Sequence, residues 1–187
     1  MRPQKVEDKE LLMSMMSVLR DKGYDGTSLN DLSNAAGLKK ASLYHRFPGG
    51  KKEIGQALLS FIDDWLEKSI LQVIADNGLL PKERLNLVLS NIKDIYEDGN
   101  KACLMKAVSA QIGLNLFGDE LNDSMGKWID GFKNLALAFE FDKDEAYKIG
   151  QEVLIKIQGS LIVSKGMKSN KYFLNTLEEI QNIYINK

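Results

Sequence analysis

The sequence is poor in the residues that build covalent or metal-held structure. It contains one cysteine, Cys103, and one histidine, His45, among 187 residues. A single cysteine excludes a disulfide within the chain, which suits a reducing cytoplasm. One histidine and one cysteine on separate predicted helices cannot supply a histidine cluster or a Cys–His pair. We therefore expect no bound metal, no cofactor and no catalytic nucleophile.

Proline and long apolar runs are equally scarce. The three prolines, at positions 3, 48 and 81, fall at boundaries between periodic segments. Strand-like alternation is nearly absent, and no apolar run is long enough to span a bilayer. The N-terminal stretch MRPQKVEDKELL lacks the apolar core of a signal peptide. These absences favour a cytoplasmic all-α protein without a membrane partner.

What the chain has throughout is apolar residues at helical spacing. The pattern predicts helices over residues 7–22, 39–45, 51–77, 82–97, 101–115, 119–140, 143–165 and 170–185, and a short one from Thr27 or Ser28 to Gly37. Apolar residues form 44% of the chain, which is enough for a substantial core. Adjacent carboxylates such as Asp63–Asp64 diverge on a helix, so they do not suggest an acid–base pair.

Charge is unevenly distributed, although the formal net charge is −1. Residues 1–52 carry ten Lys and Arg against six Asp and Glu, whereas the remainder carries 15 against 20. The excess of positive charge in residues 1–52 and of negative charge in the remainder suggests that only residues 1–52 contact a polyanion. An asymmetry of this size also arises by chance, so charge alone does not decide the partner.

The stretch TSLNDLSNAAGLKKASLYHRF, residues 27–47, places two short helical patterns on either side of Gly37. This arrangement fits a helix-turn-helix, whose second helix enters the major groove of DNA. Residues 38–47 hold Leu38, Leu43 and Phe47 as anchors and contain no acid. Such a helix can approach a phosphate backbone closely.

A longer stretch, GYDGTSLNDLSNAAGLKKASLYHRFPGGKKEI, resembles the N-terminal DNA-binding domain of TetR-family transcriptional regulators. The shared features are Gly23–Tyr24, Thr27–Ser28, Asp31–Leu32, Ala36–Gly37–Leu38, Leu43–Tyr44–His45, Phe47 and Lys51. The FPGGK form is similar to the subgroup of LmrA-like and YxaF-like repressors. The resemblance implies a three-helix helix-turn-helix domain over residues 1–50 and a helical ligand-binding and dimerisation domain over residues 51–187.

The resemblance also implies roles for individual residues on a palindromic double-stranded operator. Base contacts are implied for Lys39, Lys40, Ala41 and Ser42; phosphate contacts are implied for Thr27, Tyr44, His45 and Lys51, and the DNA-binding set also includes Ser28. Three alternatives stay open from the residues alone. In these alternatives, Thr27 serves only to cap a helix, Tyr44 serves only to pack against the first helix, and His45 is a surface residue without a role.

The C-terminal region is predicted to supply a dimer interface and an effector pocket. Residues 147–163 and 172–185 are apolar around much of the helix circumference, which favours a homodimer over a monomer with a thicker core. The predicted lining of an apolar effector pocket is Phe61, Trp65, Met105, Gln111, Phe117, Trp128 and Phe132. Each aromatic residue could equally be ordinary core, and Gln111 could equally face solvent.

These features together predict a ligand-responsive transcriptional regulator and no enzymatic activity. The expected regulator is a repressor that an apolar small molecule releases from its operator. The alternative is a helical dimeric scaffold or binding protein that does not bind DNA. A small-molecule-modifying enzyme is a further alternative, but it lacks a catalytic constellation in this sequence.

Overall fold

The computed structural model describes residues 8–186, and every regular element in this range is a helix. In chain order the helices are α1 (Asp8–Gly26), α2 (Leu29–Ala35), α3 (Lys40–Arg46), α4 (Gly50–Leu66), α5 (Pro81–Ile95), α6 (Leu104–Val108), α7 (Gln111–Ala138), α8 (Lys143–Met167) and α9 (Lys171–Ile185). Helix α4 continues through a π-helical turn, Glu67–Leu71, and one more α-helical turn, Gln72–Ala75. The predicted all-α class is confirmed.

Two boundaries differ from the periodic pattern. The predicted helix over 101–115 is divided into α6 and the first residues of α7, because residues 109 and 110 between them are not helical. The break predicted between residues 115 and 119 is a kink inside α7, where Phe117 has φ −131° and ψ 18°. The Phe117 side chain at this kink is fully buried.

The regular part of α1 ends at Gly23, as the predicted helix over residues 7–22 requires. Gly23 has φ 73° and ψ 164°, and a last helical stretch follows it to Gly26. The predicted helix start at residue 7 lies outside the described residues. Residue 187 and residues 1–7 of the N-terminal stretch MRPQKVEDKELL also lie outside the described residues.

Residues 8–62 and 104–121 form one compact unit, here called unit 1. Helix α1 packs against α6 and α2, and α2 contacts α3. The core of this unit is built from fully or almost fully buried side chains, among them Leu11, Met15, Leu19, Leu32, Leu43, Ile54, Leu58, Met105 and Phe117. This core holds the two short helices α2 and α3, which are too short to be stable alone.

Residues 63–103 and 122–186 form a second compact unit, unit 2. Helix α8 packs along α9, and α9 also contacts α5. Asp142 caps α8, since its carboxylate accepts the N–H groups of Asp144 and Glu145 at 2.9 and 2.8 Å. The hydroxyl of Tyr184 donates to the Phe132 carbonyl at 3.0 Å, and burial raises the pKa of Tyr184 above its ordinary value.

Within residues 8–186, no helix combines the length and the apolar character that a membrane crossing requires. Units 1 and 2 are defined by how the chain packs, whereas the predicted domains 1–50 and 51–187 are defined by function. The division at residue 50 stays a prediction.

Candidate nucleic-acid interface

The turn between α2 and α3 depends on Gly37. This residue has φ +64°, in the left-handed region that glycine enters without strain. The N–H of Gly37 donates to the Asn34 carbonyl at 3.1 Å, and the N–H of Leu38 donates to the Ser33 carbonyl at 2.9 Å. These two bonds form a Schellman motif, which ends α2 and sets the direction in which α3 begins.

The start of α2 is fixed by a capping box. The N–H of Ser28 donates to the Asp31 carboxylate at 2.9 Å, and the N–H of Asp31 donates to Ser28 Oγ at 3.1 Å. The shorter Asp therefore closes the box that more often contains Glu or Gln. The Lys22 ammonium and the Ser28 donors hold the pKa of the Asp31 carboxyl below its ordinary value.

Thr27 lies in the turn before α2 rather than on the surface. Its side chain is buried, and its hydroxyl donates to the Gly23 carbonyl at 2.6 Å. Ser28, which is exposed, is the residue that caps the helix. The geometry around Thr27 favours a structural role in the turn over the phosphate contact implied by the resemblance.

Helix α3 presents most of its surface to solvent. Leu43 is its buried anchor. We use the name reading face for the exposed residues around Leu43, which are Lys39, Lys40, Ala41, Ser42, Tyr44 and His45. The sequence has no Asp or Glu from residue 32 to residue 52. The reading face therefore offers cations and hydrogen-bond donors with no neighbouring acid on its own segment, as a phosphate backbone requires.

Tyr44 lies at the edge of the reading face. It is 43% exposed, and a Cβ added at Gly50, at the start of α4, would lie 3.7 Å from Tyr44 Cε1. The ring therefore lies near Gly50, and part of the residue is exposed to solvent. This placement favours a partner in solvent over the alternative in which Tyr44 only packs against α1.

Lys51 is held differently from the lysines of α3. Its Nζ lies 4.3 Å from the ring centroid of Tyr24, a cation–π contact. Burial lowers the pKa of the Lys51 ammonium, and the charge of Asp25 acts in the opposite direction. The contact orients Lys51 at the beginning of α4, beside the reading face in the sequence.

Tyr24 and Asp25, at the end of α1, also contact the start of α7. The Tyr24 ring meets Phe117 edge-on, with centroids 5.0 Å apart. The Asp25 carboxylate accepts the N–H groups of Ile112 and Gly113, both at 3.2 Å. First-turn N–H groups have no partner inside a helix, so the carboxylate satisfies two of them and suits the positive end of the helix dipole.

Gly55 on α4 completes this contact. A Cβ added at Gly55 would lie 2.6 Å from Phe117 Cζ and 3.1 Å from Tyr24 Cε2. Only a residue without a side chain lets the two rings approach α4 so closely. We call Tyr24, Asp25, Gly55 and Phe117 the α7 anchor, and all four belong to unit 1.

The residues predicted to line the effector pocket fall in both units. Met105 and Phe117 are buried in unit 1, where Phe61 is half-buried and Gln111 is exposed. In unit 2, Trp128 lies against Trp65 and Phe132, with ring centroids 6.3 and 6.0 Å apart. Trp128 thus contacts both of the other rings, and Gln111 is exposed.

Unit 2 contains a cavity of about 700 Å³ in a different place. It lies between the end of α4, including the π-helical turn, and the second half of α7. Leu71, Ile74 and Gly131 supply apolar surface, whereas Glu67, Asp123 and Lys127 supply charge. None of the seven predicted effector-contacting residues is among those that line this cavity.

The comparisons with known proteins agree with the geometry of α2 and α3. The family described as "Bacterial regulatory proteins, tetR family" matches residues 14–58. IcaR of Staphylococcus aureus, a negative transcriptional regulator of the biofilm operon icaADBC, is 35% identical over 130 residues, which cover 68% of this chain and 69% of IcaR. This chain belongs to the TetR family.

Other transcriptional regulators match along almost the full length. YxaF of Bacillus subtilis, an HTH-type transcriptional regulator, is 24% identical over 181 residues, 92% of each chain. A TetR regulator from Legionella pneumophila superposes with a TM-score of 0.81 at 17% identity, covering 97% of this chain and 98% of that one. CifR, solved in complex with a 26-bp double-strand operator DNA, gives 0.75 at 19% identity, with the same coverages.

Family membership makes this chain a DNA-binding transcriptional regulator and not an enzyme. Among residues 8–186, no group of three or more His, Cys, Asp or Glu side chains is arranged to hold a metal ion. The reading face of this TetR-family chain combines exposed cations and hydrogen-bond donors with the absence of acid on its own segment.

Sequence reasoning missed both the α7 anchor and the cavity of unit 2. Asp25 and its partners lie 87 and 88 positions apart, so no local pattern connects them. For the cavity a signal existed in Gly126 and Gly131. Glycine inside a helix lowers its stability, so it often marks a close approach or a gap.

Proposed function

We propose that this TetR-family chain is a homodimeric repressor that releases a palindromic operator when a small-molecule effector binds. The observation that carries the proposal is the reading face on α3, which is exposed, cationic and free of acid. Lys39 to Ser42, at the start of α3, take the positions from which a recognition helix reads bases. Tyr44, His45 and Lys51 contact the phosphate backbone. Such a regulator works in the cytoplasm, where it meets chromosomal DNA.

Repression is supported by what is known of the relatives. IcaR is described as a negative regulator, and CifR has been solved on operator DNA. A protein that covers an operator through a dimer occupies two half-sites about one helical turn apart. Bound there, it would exclude other proteins from the same DNA.

Dimerisation is supported by the outer face of α8. Ile155, Ile162 and Met167 are 70%, 55% and 60% exposed, while the opposite face of the same helix is buried within unit 2. Gly159 lies between Ile155 and Ile162 on this stripe, and a Cβ there would meet nothing within 4 Å. A flat apolar stripe with a glycine permits close packing of a second copy.

Release by an effector requires that the effector bind two shapes of the repressor with different affinities. Helix α7 links these regions along the chain, because its first turns lie at the α7 anchor, the kink at Phe117 follows, and its second half lines the cavity of unit 2. An apolar effector, as the sequence predicts, finds Leu71, Ile74 and Gly131 on the cavity wall. A shift of α7 would alter the support of Tyr24 and therefore of Lys51.

Fluorescence anisotropy with duplexes from upstream of the protein's own gene tests this function. We expect one duplex to bind at least about 10³-fold more tightly than an unrelated duplex of equal length at the same salt concentration. Equal weak binding to all duplexes would instead support the scaffold alternative. Competition with unlabelled specific and unrelated DNA is the matched control.

A further inference from the structure

The lining of the unit 2 cavity differs from that of an ordinary apolar pocket because it includes charged side chains. Leu71, Ile74 and Ala75 at the end of α4 give it an apolar side. Carboxylates of Glu67 on the π-helical turn and Asp123 on α7 lie on the same wall. The cavity therefore offers apolar surface and negative charge to one ligand of moderate size.

The charges around the cavity do not cancel. Lys127 Nζ lies 2.8 Å from Asp63, and Lys133 Nζ lies 2.8 Å from Asp130. These two pairs leave Glu67 and Asp123 without an ion pair among the residues that the structure describes. The charge of Lys127 also acts on Glu67 and Asp123, but four carboxylates (Asp63, Glu67, Asp123 and Asp130) face only two ammonium groups (Lys127 and Lys133), so the region keeps an excess of negative charge for a ligand.

The π-helical turn and two glycines shape the cavity. The π-helical turn Glu67–Leu71 interrupts the regular spacing of α4, and such turns are frequent at functional sites. On α7, a Cβ at Gly131 would lie 2.7 Å from Leu71 Cδ2, so glycine allows the two helices to approach there. A Cβ at Gly126, which also lines the cavity, would meet nothing within 4 Å.

We propose that this cavity binds an organic cation with an apolar body, such as an amine or quaternary ammonium that carries an aliphatic or aromatic group. The apolar body packs on Leu71, Ile74 and Ala75. The cationic head lies between the carboxylates of Glu67 and Asp123. The inference rests on the proposed function, since it names this cation class as the effector, and it replaces a wholly apolar effector with an amphipathic one.

Three probes with the same ten-carbon chain test the charge preference: decyltrimethylammonium, decanol and decanoate. Binding to the full-length protein is measured by isothermal titration calorimetry at low salt, below micelle-forming concentrations. Two exposed carboxylates favour the cation over the neutral probe by about three- to tenfold in dissociation constant, and disfavour the anion. Equal affinity for all three probes would overturn the proposal.

Two variants locate the binding. Glu67→Gln with Asp123→Asn should remove the preference for the cation over decanol, whereas Glu10→Gln with Asp94→Asn, which removes the same charge from exposed sites outside the cavity, should leave it intact. Gly126→Leu should abolish binding of decyltrimethylammonium by filling the cavity. Its control, Gly118→Leu, changes another glycine of α7 with open space around it that lies outside the cavity.

Two further measurements distinguish failure of the cation site from a folding defect and from failure of the proposed function. Thermal unfolding of the Gly126→Leu variant should show no loss of stability, because leucine favours a helix more than glycine does. If cation binding survives Gly126→Leu in a folded protein, the site assignment is wrong. If the wild-type protein binds the cation as described but recognises no DNA, the proposed function fails and the cation site stands.

Discussion

Lys40 and Tyr44 stand one helical turn apart on α3, and both side chains are exposed. Their chemistry differs: the lysine supplies a charge, whereas the tyrosine supplies a hydroxyl on a ring that rests beside Gly50. A phosphate contact adds affinity for every DNA sequence, but a base contact adds affinity for one sequence only. Under the proposed function, variants of the two residues distinguish a contact to bases from a contact to the phosphate backbone.

We predict that Lys40→Ala weakens operator binding by about 1–3 kcal/mol and relaxes specificity if the lysine contacts a base. Tyr44→Phe should weaken binding to all duplexes alike, because it removes one neutral donor to the backbone. Anisotropy titrations over a range of salt concentrations measure both effects. Lys68→Ala, an exposed lysine on the π-helical turn, is the control and should bind DNA like the wild type. Unchanged affinity in both α3 variants would contradict the assignment of the reading face.

At the scale of elements, α7 is held at its start by a residue from another helix. The Asp25 carboxylate accepts two N–H groups of α7, and Tyr24 beside it contacts both Phe117 and Lys51. One short segment at the end of α1 thus connects the beginning of α7 with the lysine at the beginning of α4. The proposed coupling of α7 to the helix-turn-helix rests on this connection.

We predict that Asp25→Ala lowers the free energy of unfolding by about 1 kcal/mol, the usual effect of removing a helix cap. For a chain of this size, the melting temperature should fall by about 2–4 °C. Differential scanning calorimetry measures the change, and Asp64→Ala, an exposed acid on α4, serves as the control. A melting temperature equal to that of the wild type would show that the carboxylate does not hold α7. If the coupling is correct, Asp25→Ala should also weaken the effect of the effector on operator binding.

At the scale of the whole molecule, the proposed dimer depends on α8 and α9. The sequence predicted these helices to be apolar on two sides, and α8 has a buried face and an exposed apolar face. Leu161 and Ile180, however, are 4% and 0% exposed within one protomer. A charge at either position would disrupt the fold itself, so neither residue gives a clean test of assembly.

The exposed stripe gives a cleaner test. We predict that Ile155→Glu together with Ile162→Glu converts a dimer into a folded monomer of 21.0 kDa, because both side chains are exposed in the protomer and would be buried only by a second copy. Light scattering after size exclusion measures the mass, and circular dichroism checks the helix content. Leu80→Glu, an exposed leucine outside α8 and α9, should remain a dimer. A wild-type protein that is monomeric at micromolar concentration would contradict the proposed dimer.

The sequence by itself determined the all-α class and the place of the helix-turn-helix. Ser28, Asp31 and Gly37 act on backbone groups no more than a few residues away, so their pattern can be read along the chain. The acid-free run from residue 32 to residue 52 is a property of composition and needs no fold to be recognised. Short-range energetics therefore fixed these features.

Only the tertiary structure decided which apolar faces are covered and where space remains. Trp65, Trp128 and Phe132 have the composition of a pocket, yet Trp128 contacts both of the other rings, and the cavity lies on a neighbouring face of α7. Asp25 reaches α7 across more than eighty residues of sequence. Burial and such distant contacts depend on how all the helices pack at once, and helical periodicity shows which face is apolar without showing what covers it.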